Sequence, residues 1–245
     1  LVRNNIKNMS SYSSARDDSK KLNDKKFIYL DANESPFENA INRYPDNKHT
    51  ELTKVVSNIK NVNVNQIVFG NGTDEILDLI VRVFCNPNKD KIITLPPTYG
   101  MYDVIAKTNG VENIEIPLKS DFSIDKNEIL KLSSSCIKIL FLCSPNNPTG
   151  NSFDTNDLTD LIKGFNGVVV VDEAYIDFSS KQSLISLIED NNNLIITQTM
   201  SKAYGMDGSR LGIGFTNEKI INYLNKIKPP YNINALTERK ALEQL

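Results

Sequence analysis

The feature that most constrains this chain is a regular alternation of short apolar stretches with longer amphipathic ones, which begins near residue 66. The apolar stretches predict strands at residues 67–69, 91–95, 112–116, 137–142, 168–171, 194–198 and 211–215. Helical patterns lie between them at residues 75–84, 99–108, 125–132, 155–163 and 183–189. Strands that alternate with helices imply right-handed crossovers and a mostly parallel sheet covered on both faces. We therefore predict an α/β fold, a three-layer α/β/α sandwich.

Two parts of the chain depart from this rhythm. The stretch at 211–215 follows the preceding strand too closely for a crossover helix, so it either runs antiparallel or is reached through the loop that contains Lys202. Residues 1–26 are polar and predict an arm rather than a packed element, followed by a short strand at 27–30. Further helical patterns lie at 50–60 and 237–245.

The composition excludes several classes of function. The 245 residues are 40% hydrophobic and 24% charged, which is typical of a globular chain with a substantial core. A formal net charge of −2 provides no basic field for nucleic acid. No apolar run approaches the ~20 residues of a membrane helix. We therefore expect neither nucleic-acid nor membrane partners.

The cysteines and the single histidine narrow the chemistry further. Cys85, Cys136 and Cys143 lie in apolar segments without metal-like spacing, and the first thirty residues lack a signal-peptide core. These features indicate reduced thiols and a cytoplasmic location. His49 is the only histidine, which argues against Ser-His-Asp catalysis and against a histidine-rich metal site. We expect His49 to be a solvated residue at a helix start, and we expect no bound metal.

The most informative residue for chemistry is Lys202, which lies in the sequence TMSKAYG just after the apolar stretch at 194–198. Burial at a strand end would favour the free amine, the form that attacks carbonyl groups. Thr199, Ser201 and Arg210 are near enough in sequence to bind a phosphate. One interpretation unites them, the Schiff-base lysine of a pyridoxal 5′-phosphate enzyme. A Ser-Lys pair after a strand is nevertheless more often an ordinary solvated loop.

Two turns at predicted strand ends are candidate ligand sites, because open α/β sheets bind ligands beyond the carboxyl ends of their strands. GNGTD at 70–74 has the glycines and the helix start that can hold a phosphate, but an ordinary helix cap is an equal alternative. It lacks the lysine of a Walker loop and the third glycine of the dinucleotide fingerprint. SPNNPTG at 144–150 is stiffened by two prolines, and its asparagines can point amides into a cleft.

Two further motifs suggest contacts with a flat, charged ring. DEAY at 172–175 follows four valines, and a carboxylate at a buried strand end needs a cationic partner. The pyridinium nitrogen of pyridoxal phosphate is such a partner, and a metal-binding Asp-Glu pair is the competing interpretation. PPTYGMY at 96–102 places an aromatic ring where it could stack on a cofactor, although a packing tyrosine is the ordinary alternative.

Taken together and in this order, the motifs resemble those of the fold-type I, pyridoxal-phosphate-dependent aminotransferases. The likeness runs from about Tyr12 to the end of the chain and also includes NRYP at 42–45, SKA at 201–203 and PYN at 230–232. The RYP and YGMY segments point to the histidinol-phosphate branch. The resemblance implies transamination of L-histidinol phosphate with 2-oxoglutarate to imidazole-acetol phosphate and glutamate, in histidine biosynthesis.

The resemblance also implies catalytic roles. Lys202 would carry the cofactor and move the substrate proton, and Asp172 would pair with the pyridine nitrogen. Asn147 and Tyr175 would hydrogen-bond the phenolic oxygen of the ring, while Tyr99 would stack on it. The cofactor phosphate would be held by Gly72, Thr73, Asp74, Thr199, Ser201 and Arg210.

Other implied roles lie outside this group. Tyr44 would reach the cofactor phosphate of the neighbouring subunit, so the working unit would be a homodimer. Tyr12 and Asn33 would approach the substrate.

The resemblance divides the chain into three parts. Residues 1–40 would form an N-terminal arm and part of a small domain, 41–230 the cofactor-binding large domain, and 231–245 the start of a C-terminal small domain whose remainder is missing. In the family that remainder carries arginines for the substrate, so we expect a complete cofactor site and an incomplete substrate site. If these residues are the whole protein, we expect cofactor binding with crippled transamination; if they are a fragment, we expect an active parent.

Three alternatives to the main interpretation remain. An aromatic amino-acid aminotransferase or a threonine-phosphate decarboxylase would share the fold and the cofactor site. A non-catalytic cofactor-binding fragment is the third. The intact set of cofactor residues favours the enzyme, because a protein that had lost its activity would have substitutions at some of these positions.

Overall fold

The computed structural model describes residues 1–11, 28–132 and 134–245. Its strands are β1 (Ile67–Asn71), β2 (Lys91–Thr94), β3 (Glu112–Glu115), β4 (Ile137–Cys143), β5 (Val168–Asp172), β6 (Leu194–Thr199) and β7 (Leu211–Thr216). Its α-helices are α1 (Asn4–Asn8), α2 (Thr50–Lys60), α3 (Thr73–Phe84), α4 (Met101–Thr108), α5 (Lys126–Leu132), α6 (Thr155–Gly164), α7 (Glu218–Ile227) and α8 (Ala235–Gln244). Short 3₁₀ segments lie at Val64–Gln66, Ile176–Phe178, Leu184–Ile188 and Asp207–Ser209.

The strands form one mixed sheet in the order β1-β7-β6-β5-β4-β2-β3. The pairs from β3 to β6 are parallel, whereas β7 is antiparallel to both β6 and β1. All the strands predicted between 67 and 215 are therefore confirmed, with a mostly parallel sheet. The open question about the last strand is also answered, because β7 returns beside β6 without a crossover helix.

The central strands show why the sheet is covered on both faces. Every residue of β5 and β6 is buried. Side chains alternate across a strand, and in β5 Val169 and Val171 pack in one apolar cluster while Val168 and Val170 pack in another. The first cluster includes side chains from α2, α5, α6 and α8, and the second includes side chains from α1, α3, α4 and α7. This arrangement is the predicted three-layer sandwich.

The N-terminal region differs from its prediction where the structure describes it. Residues 4–8 form a helix whose Ile6 is buried, and the Arg3 N–H donates to the Val83 carbonyl, so this part is packed rather than a free arm. Residues 28–30 form no strand, and the Ile28 and Leu30 side chains are exposed. An apolar run predicted a strand there, but residues 28–30 pair with no strand of the described sheet.

Two helical details also differ. The helix α7 was not predicted, although Asn217 caps it and Ile220, Ile221 and Leu224 bury one face. The helix predicted near 183–189 is a short 3₁₀ segment instead. None of the helices in the described ranges is long and apolar enough to cross a bilayer.

Candidate functional site

The sequence motifs meet in one cleft at the carboxyl ends of the parallel strands. The cleft is open to solvent, and the empty space among its lining residues, open solvent included, is about 570 Å³. It lies where β5 ends, where the chain leaves β6, and beside the turn that follows β4. Its lining residues are Thr73, Asp74, Tyr99, Cys143, Asn147, Asp172, Ala174, Tyr175, Thr199, Ser201, Lys202, Asp207 and Arg210.

One end of the cleft is formed by the N-terminus of α3. The N-cap residue is Gly72 at a φ of 76°, and no side chain caps this helix, unlike α6, α7 and α8. The first backbone N–H groups, at the cleft residues Thr73 and Asp74, therefore have no capping side chain. The helix dipole adds positive potential at the same place, which favours an anion.

Close approach of three chain segments brings a guanidinium to this end. A Cβ on Gly212 of β7 would lie 2.4 Å from the Thr73 nitrogen, so only glycine allows β7 to pack this close to the start of α3. A Cβ on Gly72 would lie 2.7 Å from Nη2 of Arg210. Arg210 is about half exposed, and its Nη2 lies 3.8 Å from an Asp74 carboxylate oxygen. Uncapped N–H groups and a guanidinium together can bind a phosphate.

Asp172 is the buried charge of the cleft, with only 2% of its surface exposed. Its Oδ1 accepts from the Thr197 hydroxyl at 3.1 Å and the Ala174 N–H at 3.2 Å, and its Oδ2 accepts from the Tyr102 hydroxyl at 2.8 Å. Burial raises the pKa of this carboxyl, and the three donors oppose that rise. Among the described residues no cation forms an ion pair with it. A cationic ligand group would supply the missing partner.

The next residue, Glu173, is an equally buried carboxylate that belongs to a different part of the fold. It accepts from the Ser183 hydroxyl at 2.6 Å, the Leu184 N–H at 2.7 Å and the Gln198 amide at 2.9 Å. These donors lie on and beside the 3₁₀ segment at 184–188. Glu173 does not line the cleft and anchors that segment instead.

Polar and aromatic side chains form the walls of the cleft. The Asn147 amide donates to the Tyr175 hydroxyl at 3.4 Å, so the two residues predicted to share one ligand oxygen do lie together. The Tyr99 hydroxyl donates to Asp74 at 3.1 Å. Burial, followed by the nearby Asp74 charge, raises the pKa of Tyr99 to about 12, so it stays a neutral donor. Thr199 and Ser201 line the side nearest to β6.

Lys202 lies in the cleft but not in the environment predicted for it. Its side chain is exposed, so the described residues do not bury the amine. The prediction of a desolvated lysine is therefore wrong for this chain, because the loop after β6 leaves the lysine on the open side of the cleft. Its Nζ lies 5.9 Å from the centre of the Tyr175 ring. The amine is accessible to a ligand that enters the cleft.

Two predicted site residues lie away from this cleft. Tyr44 and Asn33 lie together in a separate surface cavity, where the Tyr44 ring stacks on Tyr231 with 4.6 Å between ring centres. Tyr12 lies outside the described residues. The described part of the chain therefore assembles the predicted cofactor group but not the predicted substrate and neighbouring-subunit group.

Two other expectations are corrected by the structure. His49 is buried rather than solvated, and its Nδ1 lies 3.1 Å from Glu238 of α8. The expectation failed because the partner is 189 positions away. Asn146 does not point into the cleft; its amide donates to the Pro97 carbonyl and to Thr149, so it stiffens the turn.

Sequence reasoning also missed residues that shape the cleft. Cys143 and Asp207 line it, and Tyr102 and Thr197 hold Asp172 from behind. Cys143 pairs with Asp172 across the β4–β5 ladder, which the strand alignment could have suggested. The contacts of Tyr102 and Thr197 depend on tertiary packing that the sequence pattern does not carry.

Comparison with known proteins identifies the class to which this arrangement belongs. The family model of aminotransferase class I and II matches residues 19–245, and the chain belongs to this family. Within it, the chain is 56% identical to the histidinol-phosphate aminotransferase of Flavobacterium psychrophilum and 45% identical to that of Bacteroides fragilis, over 245 residues each. Both matches cover the whole chain and 70% of the relative. The resemblance inferred from the motifs is confirmed.

Solved structures show the same fold. The histidinol-phosphate aminotransferase from Clostridium acetobutylicum aligns with a TM-score of 0.75 and 28% identity, over 82% of this chain and 60% of that one. The enzyme from Sinorhizobium meliloti, solved in complex with pyridoxal-5′-phosphate, aligns with a TM-score of 0.77 and 21% identity, over 98% of this chain and 69% of that one. The present chain thus spans about 60% to 70% of the proteins that it matches.

Pyridoxal 5′-phosphate fits the chemistry of the cleft. The buried Asp172 suits a protonated ring nitrogen, and the uncapped start of α3 with Arg210 suits a phosphate. Lys202 offers the primary amine that the cofactor requires, and Asn147 and Tyr175 offer polar groups between these ends. One small molecule therefore accounts for the positive end, the buried anion and the amine.

Proposed function

We propose that this chain forms the cofactor-binding part of an aminotransferase that exchanges an amino group between L-histidinol phosphate and 2-oxoglutarate, with imidazole-acetol phosphate and glutamate as products. The observation that carries the proposal is the shared lining of one cleft by Lys202, Asp172 and the start of α3. The names of relatives that are 45% to 56% identical support the choice of substrate. This reaction would place the protein in histidine biosynthesis.

The residues of the cleft divide the work among them. When bound, pyridoxal phosphate supplies a reactive carbonyl and an electron-withdrawing ring. Lys202 would hold the cofactor through Nζ, and its amine, once free, would move the proton of the substrate carbon. Asp172 keeps a proton on the ring nitrogen by presenting a negative charge to it. Asn147 and Tyr175 orient the ring through its phenolic oxygen.

The phosphate-binding group fixes the cofactor in one position. The N–H groups of Thr73 and Asp74 next to Gly72, the hydroxyls of Thr199 and Ser201, and the Arg210 guanidinium would hold the cofactor phosphate, and these five residues line the cleft. Tyr99, whose hydroxyl contacts Asp74, would stack on the ring.

We also propose that the working unit is a homodimer. Tyr44 and Asn33 lie away from the cleft, in a cavity on the outer surface whose rim carries exposed apolar side chains. A second copy that covers this surface would bring its Tyr44 to the neighbouring cofactor phosphate. The division into an arm with part of a small domain (1–40), a large domain (41–230) and the start of a second small domain (231–245) belongs to the same proposal. Tyr12 and Asn33 would then approach the substrate.

A cytoplasmic location completes the proposal. Cys85, Cys136 and Cys143 are all free, and Cys85 and Cys143 are buried. Free buried thiols are typical of proteins from a reducing compartment.

A comparison of substrates tests the proposed reaction. The protein, loaded with pyridoxal phosphate, would be given histidinol phosphate, phenylalanine or threonine phosphate, each with 2-oxoglutarate, and glutamate would be measured. We expect histidinol phosphate to give the highest kcat/KM. A preference for phenylalanine would indicate an aromatic aminotransferase, and carbon dioxide release from threonine phosphate would indicate a decarboxylase. A bound cofactor without turnover of any substrate would support a non-catalytic fragment.

A further inference from the structure

Tyr102 is a buried tyrosine that contacts the cleft residue Asp172 and has no role in the proposed function. Tyr102 of α4 is completely buried, and it is not among the residues that line the cleft. Its hydroxyl donates to Oδ2 of Asp172 at 2.8 Å. The sequence indicated only an aromatic residue near a helix start, so this contact gives Tyr102 a specific partner in the chemistry.

Aromatic neighbours hold the ring of Tyr102 in place. It stacks on Phe141 of β4 with 4.8 Å between ring centres and an angle of 5° between planes. It also meets the edge of Tyr99 at 5.5 Å and 86°. Aromatic contacts on two sides fix the plane of a buried ring. The position of the hydroxyl oxygen is therefore set by packing rather than by Asp172.

The acceptor positions of Asp172 show which oxygen is left for a ligand. Its Oδ1 already accepts two bonds, from Thr197 and Ala174, whereas within the described ranges Oδ2 accepts from Tyr102 alone. Each carboxylate oxygen can accept about two hydrogen bonds. Oδ2 therefore keeps one acceptor position, and Asp172 lines the cleft. Tyr102 thus contacts the same oxygen that would accept from the cofactor.

The ionisable groups near Asp172 come from several elements of the fold. Cys143 lies beside it on β4, and burial raises the pKa of this thiol to about 12. The pKa values of Tyr99 and Tyr175 are raised as well, first by burial. Asp74 faces Asp172 from α3 and contributes to raising its pKa, while the cations of the cleft are Lys202 and Arg210.

The proton between Tyr102 and Asp172 stays on the tyrosine. Burial, followed by the Asp172 charge, raises the pKa of Tyr102 well above its ordinary value. Tyr102 is therefore a hydrogen-bond donor at every pH near neutrality. A donor of this kind stabilises the ionised form of its acceptor.

We propose that Tyr102 is a positioning residue, which holds Asp172 as an anion with one oxygen free for the ring nitrogen of the cofactor. This inference rests on the proposed function, because it gives Asp172 its partner in pyridoxal phosphate. Burial opposes ionisation of Asp172. The hydrogen bond from Tyr102 offsets part of that cost at Oδ2, the oxygen that would accept from the ring nitrogen. Without Tyr102, Asp172 would take up a proton at a higher pH and lose its attraction for a protonated ring nitrogen.

The experiment measures the affinity of the full chain for pyridoxal phosphate, by absorbance titration, between about pH 5 and pH 9. On the acidic side affinity falls as Asp172 takes up a proton. In Tyr102→Phe, which keeps the ring and removes the donor, we expect the midpoint of this fall to move up by about one to two pH units. Tyr223→Phe is the matched control, because Tyr223 packs against the same apolar cluster but contacts Lys226 rather than Asp172.

Two features make the result decisive. The cofactor phosphate also titrates, but equally in every variant, so only the difference between variants reports on Asp172. A fluorinated tyrosine placed at position 102 keeps the shape and strengthens the donor, and it would move the midpoint down. This second variant decides the question even if Tyr102→Phe does not fold.

The outcomes separate this inference from the proposed function. A midpoint that is the same in the wild type, in Tyr102→Phe and in the fluorinated variant would overturn the role of Tyr102 while leaving cofactor binding intact. An equal shift in Tyr223→Phe would also overturn it, because the effect would then be general. Failure of the wild-type chain to bind pyridoxal phosphate at any pH would instead overturn the proposed function.

Discussion

The cleft and the outer cavity around Tyr44 differ in the burial of their side chains and in the hydrogen bonds that hold them. In the cleft, the critical groups stand at the ends of buried strands and are fixed by hydrogen bonds from the same chain, as Asp172 is. In the outer cavity, Tyr44 is 51% exposed, and Ile41, which lines the same cavity, is 55% exposed. The cleft is thus largely preformed by one chain, whereas the outer surface has the apolar exposure typical of a surface that another chain covers.

We therefore expect cofactor binding to depend far more on the cleft than on assembly. If the cleft is complete by itself, changes within it should have large effects that do not depend on protein concentration. Changes in the outer cavity should have small effects that do.

Replacement of the cleft lysine should have the largest effect. In Lys202→Ala, reduction with borohydride should leave no cofactor attached to the chain, against about one per chain in the wild type, because no other amine lines the described cleft. Mass spectrometry of the digested protein measures the attachment. Lys181→Ala is the control, since the Lys181 amine donates to the Phe153 carbonyl, and it should be labelled normally. Cofactor found attached to Lys202→Ala would show that the lysine was wrongly assigned.

Replacement of the buried carboxylate should be next. Asp172→Asn should still bind the cofactor but should remove the substrate proton about 10³-fold more slowly, because the ring nitrogen loses its charged partner. Single-turnover kinetics measures this rate, and a rate equal to that of the wild type would contradict the role of Asp172.

The neighbouring carboxylates provide a pH test of the same idea. Burial raises the pKa of both Asp172 and Glu173. A carboxyl whose folded pKa is raised stabilises the fold below its unfolded pKa, and this stability is lost as the pH rises through the folded value. In the cofactor-free protein, the free energy of unfolding should therefore fall above about pH 4. Asp172→Asn and Glu173→Gln should each reduce that fall.

The cofactor should separate these two contributions. Bound cofactor offers a cation to Asp172 but not to Glu173, so it should remove only the part of the pH dependence that Asp172→Asn removes. Urea unfolding from about pH 4 to pH 8, with and without cofactor, measures this. If the cofactor removed the Glu173 part instead, the assignment of the two carboxylates would be reversed.

A change at the phosphate end should have an intermediate effect. In Gly212→Ala the new Cβ would meet the Thr73 nitrogen at 2.4 Å, so the start of α3 must move. We expect a loss of about 1–3 kcal/mol in the free energy of unfolding. The substitution should also reduce the affinity for pyridoxal phosphate more than the affinity for pyridoxal, which has no phosphate. Gly208→Ala is the control, because its Cβ would meet no atom within 4 Å. Equal stability of both variants would show that the close approach is unimportant.

The outer cavity should give the smallest effect. Tyr44→Phe should weaken cofactor binding by about fivefold, the size of one neutral hydrogen bond, and only at concentrations where the chain is a dimer. Titration across a range of protein concentrations, with sedimentation of the same samples, measures both. A loss that persists in the monomer would place Tyr44 in the cleft of its own chain.

Much of this architecture could be predicted from the sequence because the signals are local. The four valines before Asp172 and the glycines around Asn71 fix a strand end and a helix start by themselves. The position of Lys202 could also be predicted locally, because this residue lies shortly after the buried strand β6. Local patterns place residues at strand ends, and parallel strands then bring those ends together.

The features that escaped prediction depend on distant contacts. The burial of His49 requires Glu238, and the packing of Ile6 requires the face of α7, which the pattern of Ile220 and Leu224 could have revealed. The exposure of Lys202 and the hydrogen bond from Tyr102 to Asp172 depend on the path of a loop and on stacked rings. No sequence spacing encodes such contacts.

The antiparallel return of β7 beside β6 has a consequence for how this protein can change. Lys202 and Arg210 lie eight residues apart on the connection between β6 and β7 (residues 200–210), and both line the cleft. An insertion or deletion there would alter the spacing between the amine and the guanidinium, which must engage two points of one rigid molecule. Length variation should therefore be tolerated better on the connections that enter the strands at the opposite end of the sheet, away from the cleft, than in this loop.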